Sequence, residues 1–193
     1  MGKELKDMTN EELWQLFPII LCEHNPLWID RYRITKVEIT KIIASKNIER
    51  ISHIGSTAVK GLIAKPTIDI LLEIKKDSNI NKIIRSMEAK GYIYVPQESN
   101  PQPHFTFYKG YTPKGFKGQA YHIHVRFSGD HDELYFRDYL NKNPKALNEY
   151  AKLKEKLKEK YEHNRDLYTE EKTDFIKQAT IKARQEFKDR YKP

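Results

Sequence analysis

The stretch from residue 48 to residue 73 carries the residue types that phosphate chemistry uses. An apolar run ends in Gly55-Ser56-Thr57. A loop follows, and the next apolar run, Ile68-Asp69-Ile70-Leu71-Leu72, holds a single acid. Glycine lets a backbone approach an anion closely. The hydroxyls of Ser56 and Thr57, with the N–H groups of a helix start, can bind triphosphate oxygens. An aspartate fixed on a rigid strand can hold Mg2+, which takes oxygen ligands and bridges to phosphates. An ion so held orients an in-line displacement and stabilises its charge. Burying Asp69 unpaired would be costly, so it serves a site, pairs with a neighbouring Arg or Lys, or caps a backbone turn. Ser56 and Thr57 equally suit the capping of a turn.

His122, His124 and Arg126 form a second constellation. Residues two apart on a strand project to one face, and two imidazoles with a guanidinium suit an anion or a metal. The alternative is a solvated face, or hydrogen bonds within the sheet. Lys65 and Lys109 are candidate phosphate contacts, as point charges, and Lys109 is equally an ordinary surface lysine. His53 reads as a packed strand-end histidine, while His104, His131 and His163 carry no usable pattern.

Several elements must position these groups. Thr9 and Glu12 have capping-box spacing and open a short helix. The apolar run at 19–22 reads as a strand. Asn25-Pro26 starts a helix running to about Ser45, with Trp28, Tyr32, Ile39 and Ile42 on one face. Residues 48–54 and 67–74 read as strands, the second buried. Asp77-Ser78 caps a helix with Ile80, Ile83, Ile84 and Met87 on its apolar face, ended by Gly91. Three more strands are expected at 92–95, 104–109 and 120–127, joined by loops that carry Pro96, Pro101, Pro103, Gly110, Pro113, Gly115 and Gly118. Beyond Asp130 the pattern turns helical, with helices at 134–140, along Ala146, Tyr150, Leu153, Leu157 and Tyr161, and along Phe175, Ile176, Ala179, Ala183 and Phe187. The Lys-rich stretch at 152–160 reads as an amphipathic helix with a wet face. Trp28, Tyr32 and the tyrosines of the last helices are expected in the core. The result is an α+β pattern, a mixed sheet with flanking helices and a helical C-terminal segment. One domain over 1–193 is expected, with an α/β core at 19–128 and C-terminal helices at 130–190.

The chain has 193 residues, 38% hydrophobic and 32% charged, so a hydrophilic globular protein is expected. Twelve Tyr and 11% aromatics argue against disorder. The formal charge of +8 favours anionic partners, or is simply a Lys-rich solvated surface. One cysteine, Cys22, excludes an intrachain disulfide and a Cys-based zinc site. No stretch approaches the ~20 apolar residues that span a bilayer, and no signal peptide is apparent, so a cytoplasmic protein without membrane contact is expected.

The segment His53-Ile54-Gly55-Ser56-Thr57-Ala58-Val59-Lys60-Gly61-Leu62-Ile63-Ala64-Lys65-Pro66-Thr67-Ile68-Asp69-Ile70 closely resembles the signature of the GrpB family, H-[IV]-G-S-T-A-V-P-G-L-x-A-K-P-x-I-D-I. Blocks at 25–28, 108–110, 122–126, 137–140 and 171–176 follow in family order, so the resemblance covers roughly residues 19–185. It implies a nucleotidyltransferase-like fold, without a known substrate. Lys60 stands where proline is usual. Nucleotidyltransferases typically carry a second acid two residues after the first, where this chain has Leu71. Two acids so spaced would sit ~6.6 Å apart on one face. Glu73 lies ~13 Å along the strand from Asp69, too far to substitute, so a two-metal mechanism needs Glu23 or a histidine as replacement, and otherwise the site is single-metal or inactive. In such enzymes a later strand beside the first acid often supplies the third catalytic group, a place His122 or His124 suits.

The family signature and the buried acid together give the expectation of transfer of a nucleoside monophosphate from an NTP to a small acceptor, with Mg2+. Asp69, His122 and His124 would be catalytic, with Asp69 the metal ligand. Gly55, Ser56, Thr57, Lys65, Lys109 and Arg126 would bind the phosphates. The alternative, motivated by Leu71, is a non-catalytic nucleotide- or anion-binding protein. RNA binding ranks last, because no RNA-binding motif is present.

Overall fold

The computed structural model describes residues 3–97 and 103–192, so Pro101 lies outside the described residues. Its centre is a five-stranded mixed sheet in the order β1-β2-β5-β4-β3. The strands are β1 (Ile48–Ile54), β2 (Thr67–Ile74), β3 (Ile93–Pro96), β4 (Phe105–Thr112) and β5 (Gly115–Phe127). β2 and β5 run parallel side by side, and the other neighbours are antiparallel. With helices on both sides of this sheet, the fold is α+β.

The alternation of β2 decides which face holds which chemistry. Ile68, Ile70, Leu72 and Ile74 are fully buried and join Ile123 and Val125 of β5 and Phe105 and Phe107 of β4 in the main core. Helices α2 (Leu27–Ile43) and α3 (Ile80–Glu88) cover that face with Trp28, Tyr32, Ile39, Ile43, Ile83 and Met87. Each such aliphatic side chain contributes about 1.5–3 kcal/mol by leaving water. Because side chains alternate, Thr67, Asp69, Leu71 and Glu73 face the other way, as do His122, His124 and Arg126.

That second face is covered by the C-terminal helices α4 (Asp132–Lys142), α5 (Pro144–Tyr161), α6 (Arg165–Glu170) and α7 (Thr173–Phe187). Val59 and Leu62, just after β1, pack with Leu140, Ala146 and Tyr150, so these helices share apolar contacts with the Gly55 loop. Glu73 is fully buried on this face. Arg50 of β1 holds it through both guanidinium contacts, with Nη2 donating to Oε1 at 2.8 Å, and the Gly129 N–H also donates to it at 3.2 Å.

The capping box of α1 (Asn10–Leu16) forms as expected, with Thr9 and Glu12 exchanging bonds. Asn25 accepts from the N–H of Leu27 at 2.9 Å at the start of α2. Three expectations are corrected. Residues 19–22 form no strand; only Cys22 bridges to Ala64, and the Ile19 N–H bonds to the Glu162 carbonyl beside α5. The cap of α3 is Asn79, whose side chain accepts from the Lys82 N–H, and not Asp77-Ser78. After Gly55 the chain makes only a single 3-10 turn, Ser56–Ala58, before its loop. No helix among the described residues is long and apolar enough to cross a membrane.

Candidate functional site

The parallel register of β2 and β5 sets Asp69 beside His122 and Leu71 beside His124. Asp69 Oδ1 lies 3.1 Å from His122 Nδ1 and 3.5 Å from His124 Nε2. One ligand atom from each of the three residues falls within 4.8 Å of the others. The outer ring nitrogens are also held. His122 Nε2 lies 2.7 Å from Tyr111 Oη, and His124 Nδ1 lies 3.3 Å from Thr106 Oγ1.

Charge at this cluster follows from its surroundings. Burial pushes the His122 imidazole down to about 4, against the pull of Asp69, so it is neutral at physiological pH. Burial disfavours the Asp69 carboxylate, but hydrogen bonds from His122 and His124 outweigh that and hold it well below the usual range. The cluster is therefore one carboxylate anion with a neutral imidazole at its side.

Gly55 ends β1 directly against Asp69. Its backbone, at φ +69° and ψ −174°, occupies a region essentially restricted to glycine. A Cβ there would stand 2.4 Å from Asp69 Oδ2. The glycine thus admits both the turn and the acid.

The cluster opens into a cleft of about 870 Å3, to which Gly55, Ser56, Lys65 and Arg126 also contribute. The far wall comes from the C-terminal helices: Tyr150 and Lys154 on α5, Arg165, Tyr168 and Thr169 on α6, and Lys172 and Ile176 beyond. Lys154 Nζ donates to Ser56 Oγ at 3.2 Å and to the Ile63 carbonyl. The ammonium groups of Lys65 and Lys172 sit 5.7 and 4.2 Å from the Tyr168 ring centre. No carboxylate among the described residues lies within ion-pair distance of Lys65, Arg126, Lys154, Arg165 or Lys172. Burial, and then the repulsion of Arg165 and Lys172, lowers Lys65 to about 7. Burial and Lys172 lower Lys154 to about 7, and burial lowers Lys172 to about 8. These basic groups are crowded together without an ion-pair partner, and the Asp69 carboxylate offsets part of the repulsion at Lys65 and Lys172.

The structure brings together Asp69, His122, His124, Gly55, Ser56, Lys65 and Arg126. It separates three others. Lys109 follows Phe105 and Phe107 on the core face of β4, where its Nζ meets Glu38 at 2.8 Å and the Tyr92 ring, so it cannot reach the cleft. Thr57 turns inward in the 3-10 turn. Its hydroxyl donates to the Thr67 carbonyl at 3.1 Å and meets His53 Nε2 at 3.0 Å. Glu23 is exposed and outside the cluster. Leu71 is fully buried against Ile54 and Leu134. His53 is buried and stacked on Tyr32, as expected of a packed histidine.

The sequence reading missed the far wall. Lys154 carried a signal, because it stands four residues after Tyr150 and three before Leu157, inside the apolar stripe of α5. Arg165, Tyr168 and Lys172 share a helical spacing, but nothing local ties them to a strand a hundred residues earlier. His104 and His131 also line the cleft.

A family model described as GrpB protein matches residues 18–182. A UPF0157 protein of Pseudomonas aeruginosa is 34% identical over 153 residues, covering 79% of this chain and 62% of that protein. UPF0157 protein YqkA of Bacillus subtilis is 31% identical over 178 residues, covering 89% of this chain and 50% of that protein. The chain thus spans between half and two thirds of the length of these two relatives. A crystal structure of conserved protein GrpB from Enterococcus faecalis matches with a TM-score of 0.75 and 27% identity, covering 87% of this chain and 99% of that one.

Proposed function

The chain belongs to the GrpB family, and from that premise we propose that it transfers a nucleoside monophosphate from a nucleoside triphosphate to a small acceptor molecule. The observation that carries this reading is the convergence of Asp69, His122 and His124 on the wall of a cleft lined by basic side chains that have no ion-pair partner. One carboxylate and two imidazole nitrogens fit a divalent ion. Such an ion, when bound, supplies charge stabilisation to the reacting phosphate; Mg2+ is the expectation from an aspartate fixed on a strand beside a phosphate-type turn.

The remaining work belongs to the chain's own groups. Lys65, Arg165 and Lys172 hold the phosphate oxygens, each charge-assisted hydrogen bond contributing about 1.5–3 kcal/mol. The narrow Gly55 turn keeps Asp69 within reach of the anion. Lys154 fixes the Ser56 hydroxyl and, through the Ile63 carbonyl, the loop that carries Lys65. The C-terminal helices exclude water from the back of the cleft, which strengthens each of these contacts. Under this reading the partners are a nucleotide and a small acceptor in the cytoplasm.

Leu71 favours a second reading, a protein that binds nucleotides or other polyanions in the same cleft without turnover. Incubation with labelled NTPs, a divalent ion and pooled metabolites separates the two. Pyrophosphate release that disappears in Asp69→Asn supports transfer. Tight nucleotide binding with no release under any pairing supports the binding module.

A further inference from the structure

We infer that Asp69, His122 and His124 are all ligands of a single resident ion, and that this donor set selects a transition-metal ion of the Zn2+, Mn2+, Fe2+ or Co2+ class over Mg2+. The inference deepens the proposed function and rests on its placement of an ion at Asp69.

The first support is the spacing of the donors. Asp69 Oδ1 stands 3.1 and 3.5 Å from the two histidine nitrogens. Ligands bound at ~2.0–2.2 Å in a tetrahedral or octahedral shell stand about that far from one another. The two histidine nitrogens lie within 4.8 Å of each other, so the three donors close on one centre once the imidazoles draw together by up to about 1.3 Å.

The second support is the way each imidazole is oriented. A ligating histidine almost always has its other ring nitrogen held by the protein, which fixes the tautomer and the aim of the ring. Tyr111 holds Nε2 of His122 at 2.7 Å, with Arg165 Nη2 3.5 Å from the same nitrogen, leaving Nδ1 toward Asp69. Thr106, fully buried, holds Nδ1 of His124, leaving Nε2 toward Asp69. Opposite nitrogens of the two rings are thus directed to one point. A solvated pair of histidines would need neither partner.

The third support is the shortage of oxygen. Mg2+ demands oxygen ligands in near-octahedral geometry and is usually held by one or two carboxylates plus waters and phosphates. Imidazole suits Zn2+, Fe2+ and their neighbours. Among the described residues the cluster holds one carboxylate. Leu71 takes the place on β2 where a second acid would stand, and the next acid on that face, Glu73, is committed to Arg50. The histidines come from β5, His122 beside Asp69 itself and His124 beside Leu71, the position that β2 leaves without oxygen. Two-histidine, one-carboxylate sites leave coordination positions open, and here the open side faces the cationic cleft, where a phosphate oxygen can enter.

The test counts metal with no nucleotide present. The full chain is stripped with a chelator, dialysed separately against Zn2+, Mn2+, Co2+ or Mg2+, and its bound metal measured by elemental analysis. The Co2+ form is followed by its visible absorption. The expected result is one transition ion per chain, retained against a large excess of Mg2+. His124→Asn and Asp69→Asn should weaken binding about 100-fold or more, and Tyr111→Phe and Thr106→Val about tenfold through the loss of ring orientation. Circular dichroism checks that each variant is folded, and Tyr111→Phe keeps the ring that packs on Phe17, so the test does not hang on one fragile variant. Mg2+ displacing the ion at comparable concentration, absence of bound metal, or wild-type affinity in His124→Asn would overturn the inference. Pyrophosphate release is scored separately. Metal bound without release sinks the transfer reaction alone, and release with Mg2+ as the sole binding ion sinks the metal assignment alone.

Discussion

Replacing Gly55 with alanine should damage the site from the backbone outward. Two penalties act at this position. The backbone at φ +69° and ψ −174° costs a residue with a Cβ about 1–3 kcal/mol. The new Cβ would also stand 2.4 Å from Asp69 Oδ2, 2.9 Å from its Cβ and 3.0 Å from its Cγ. Relief to an ordinary contact of ~3.5 Å requires the carboxylate to move by about 1 Å. A misplacement of about 1 Å in catalytic geometry costs about a hundredfold in rate. Gly61→Ala is the control, since Gly61 also has positive φ, +78°, but a Cβ there meets nothing within 4 Å. Urea unfolding should show Gly55→Ala losing about 2–4 kcal/mol, the sum of backbone strain and overpacking. Metal and nucleotide titrations on the folded protein should show binding at the cluster weakened at least tenfold in Gly55→Ala and unchanged in Gly61→Ala. Wild-type ligand affinity in Gly55→Ala would refute the claim that this glycine is what gives Asp69 its position.

Other outcomes follow from the same geometry. Lys172→Ala should weaken triphosphate binding about 10- to 100-fold, the loss of one charge-assisted contact, whereas Lys109→Ala should stay within twofold because its ammonium faces Glu38 across the sheet; equilibrium titration with a non-hydrolysable NTP decides both. Lys65 and Lys154 titrate at about 7 and Lys172 at about 8 in the free protein. A polyanion favours their charged forms and raises those values, so binding at pH 8 should take up protons and affinity should fall from pH 7 to 9. Calorimetry in buffers of different ionisation enthalpy reads this directly, and proton release on binding would contradict it. Arg50→Met strips Glu73 of its guanidinium and leaves a fully buried carboxylate with only the Gly129 N–H and the His131 ring, 3.5 Å away, beside it, for an expected loss of about 3–5 kcal/mol in denaturant unfolding; a loss under 1 kcal/mol would contradict the role of Arg50 as the counter-charge.

The candidate site was half legible from residue order. Asp69 stood out because a lone acid in an unbroken apolar strand must have a purpose, and the alternation of β5 put His122 and His124 on one face. Their meeting with Asp69 depends on β2 and β5 being parallel neighbours, which no local pattern states. Lys109 shows the converse. Its alternation within β4 was readable, but which parity faces the cleft is set by the antiparallel register with β5. The place of Thr57 is not local either, since its hydroxyl finds partners in Thr67 and His53, a long-range matter. The run at 19–22 has the length and polarity of a short strand, yet it pairs only at Cys22 and otherwise docks on the end of α5. The cationic wall was the largest omission. It belongs to amphipathic helices whose lysines resemble a wet face, and only the tertiary packing turns Lys154 inward to Ser56.

The central claim is nucleotidyl transfer at the Asp69 cluster. Its most direct test is pyrophosphate release from labelled NTPs by the metal-loaded protein across a pool of small acceptors, with Asp69→Asn assayed beside it. Acceptor-dependent release is expected, falling at least a thousandfold in Asp69→Asn, about 4 kcal/mol of transition-state stabilisation. Release that persists unchanged in Asp69→Asn, or none with any nucleotide and acceptor while metal and nucleotide are both bound, would contradict it.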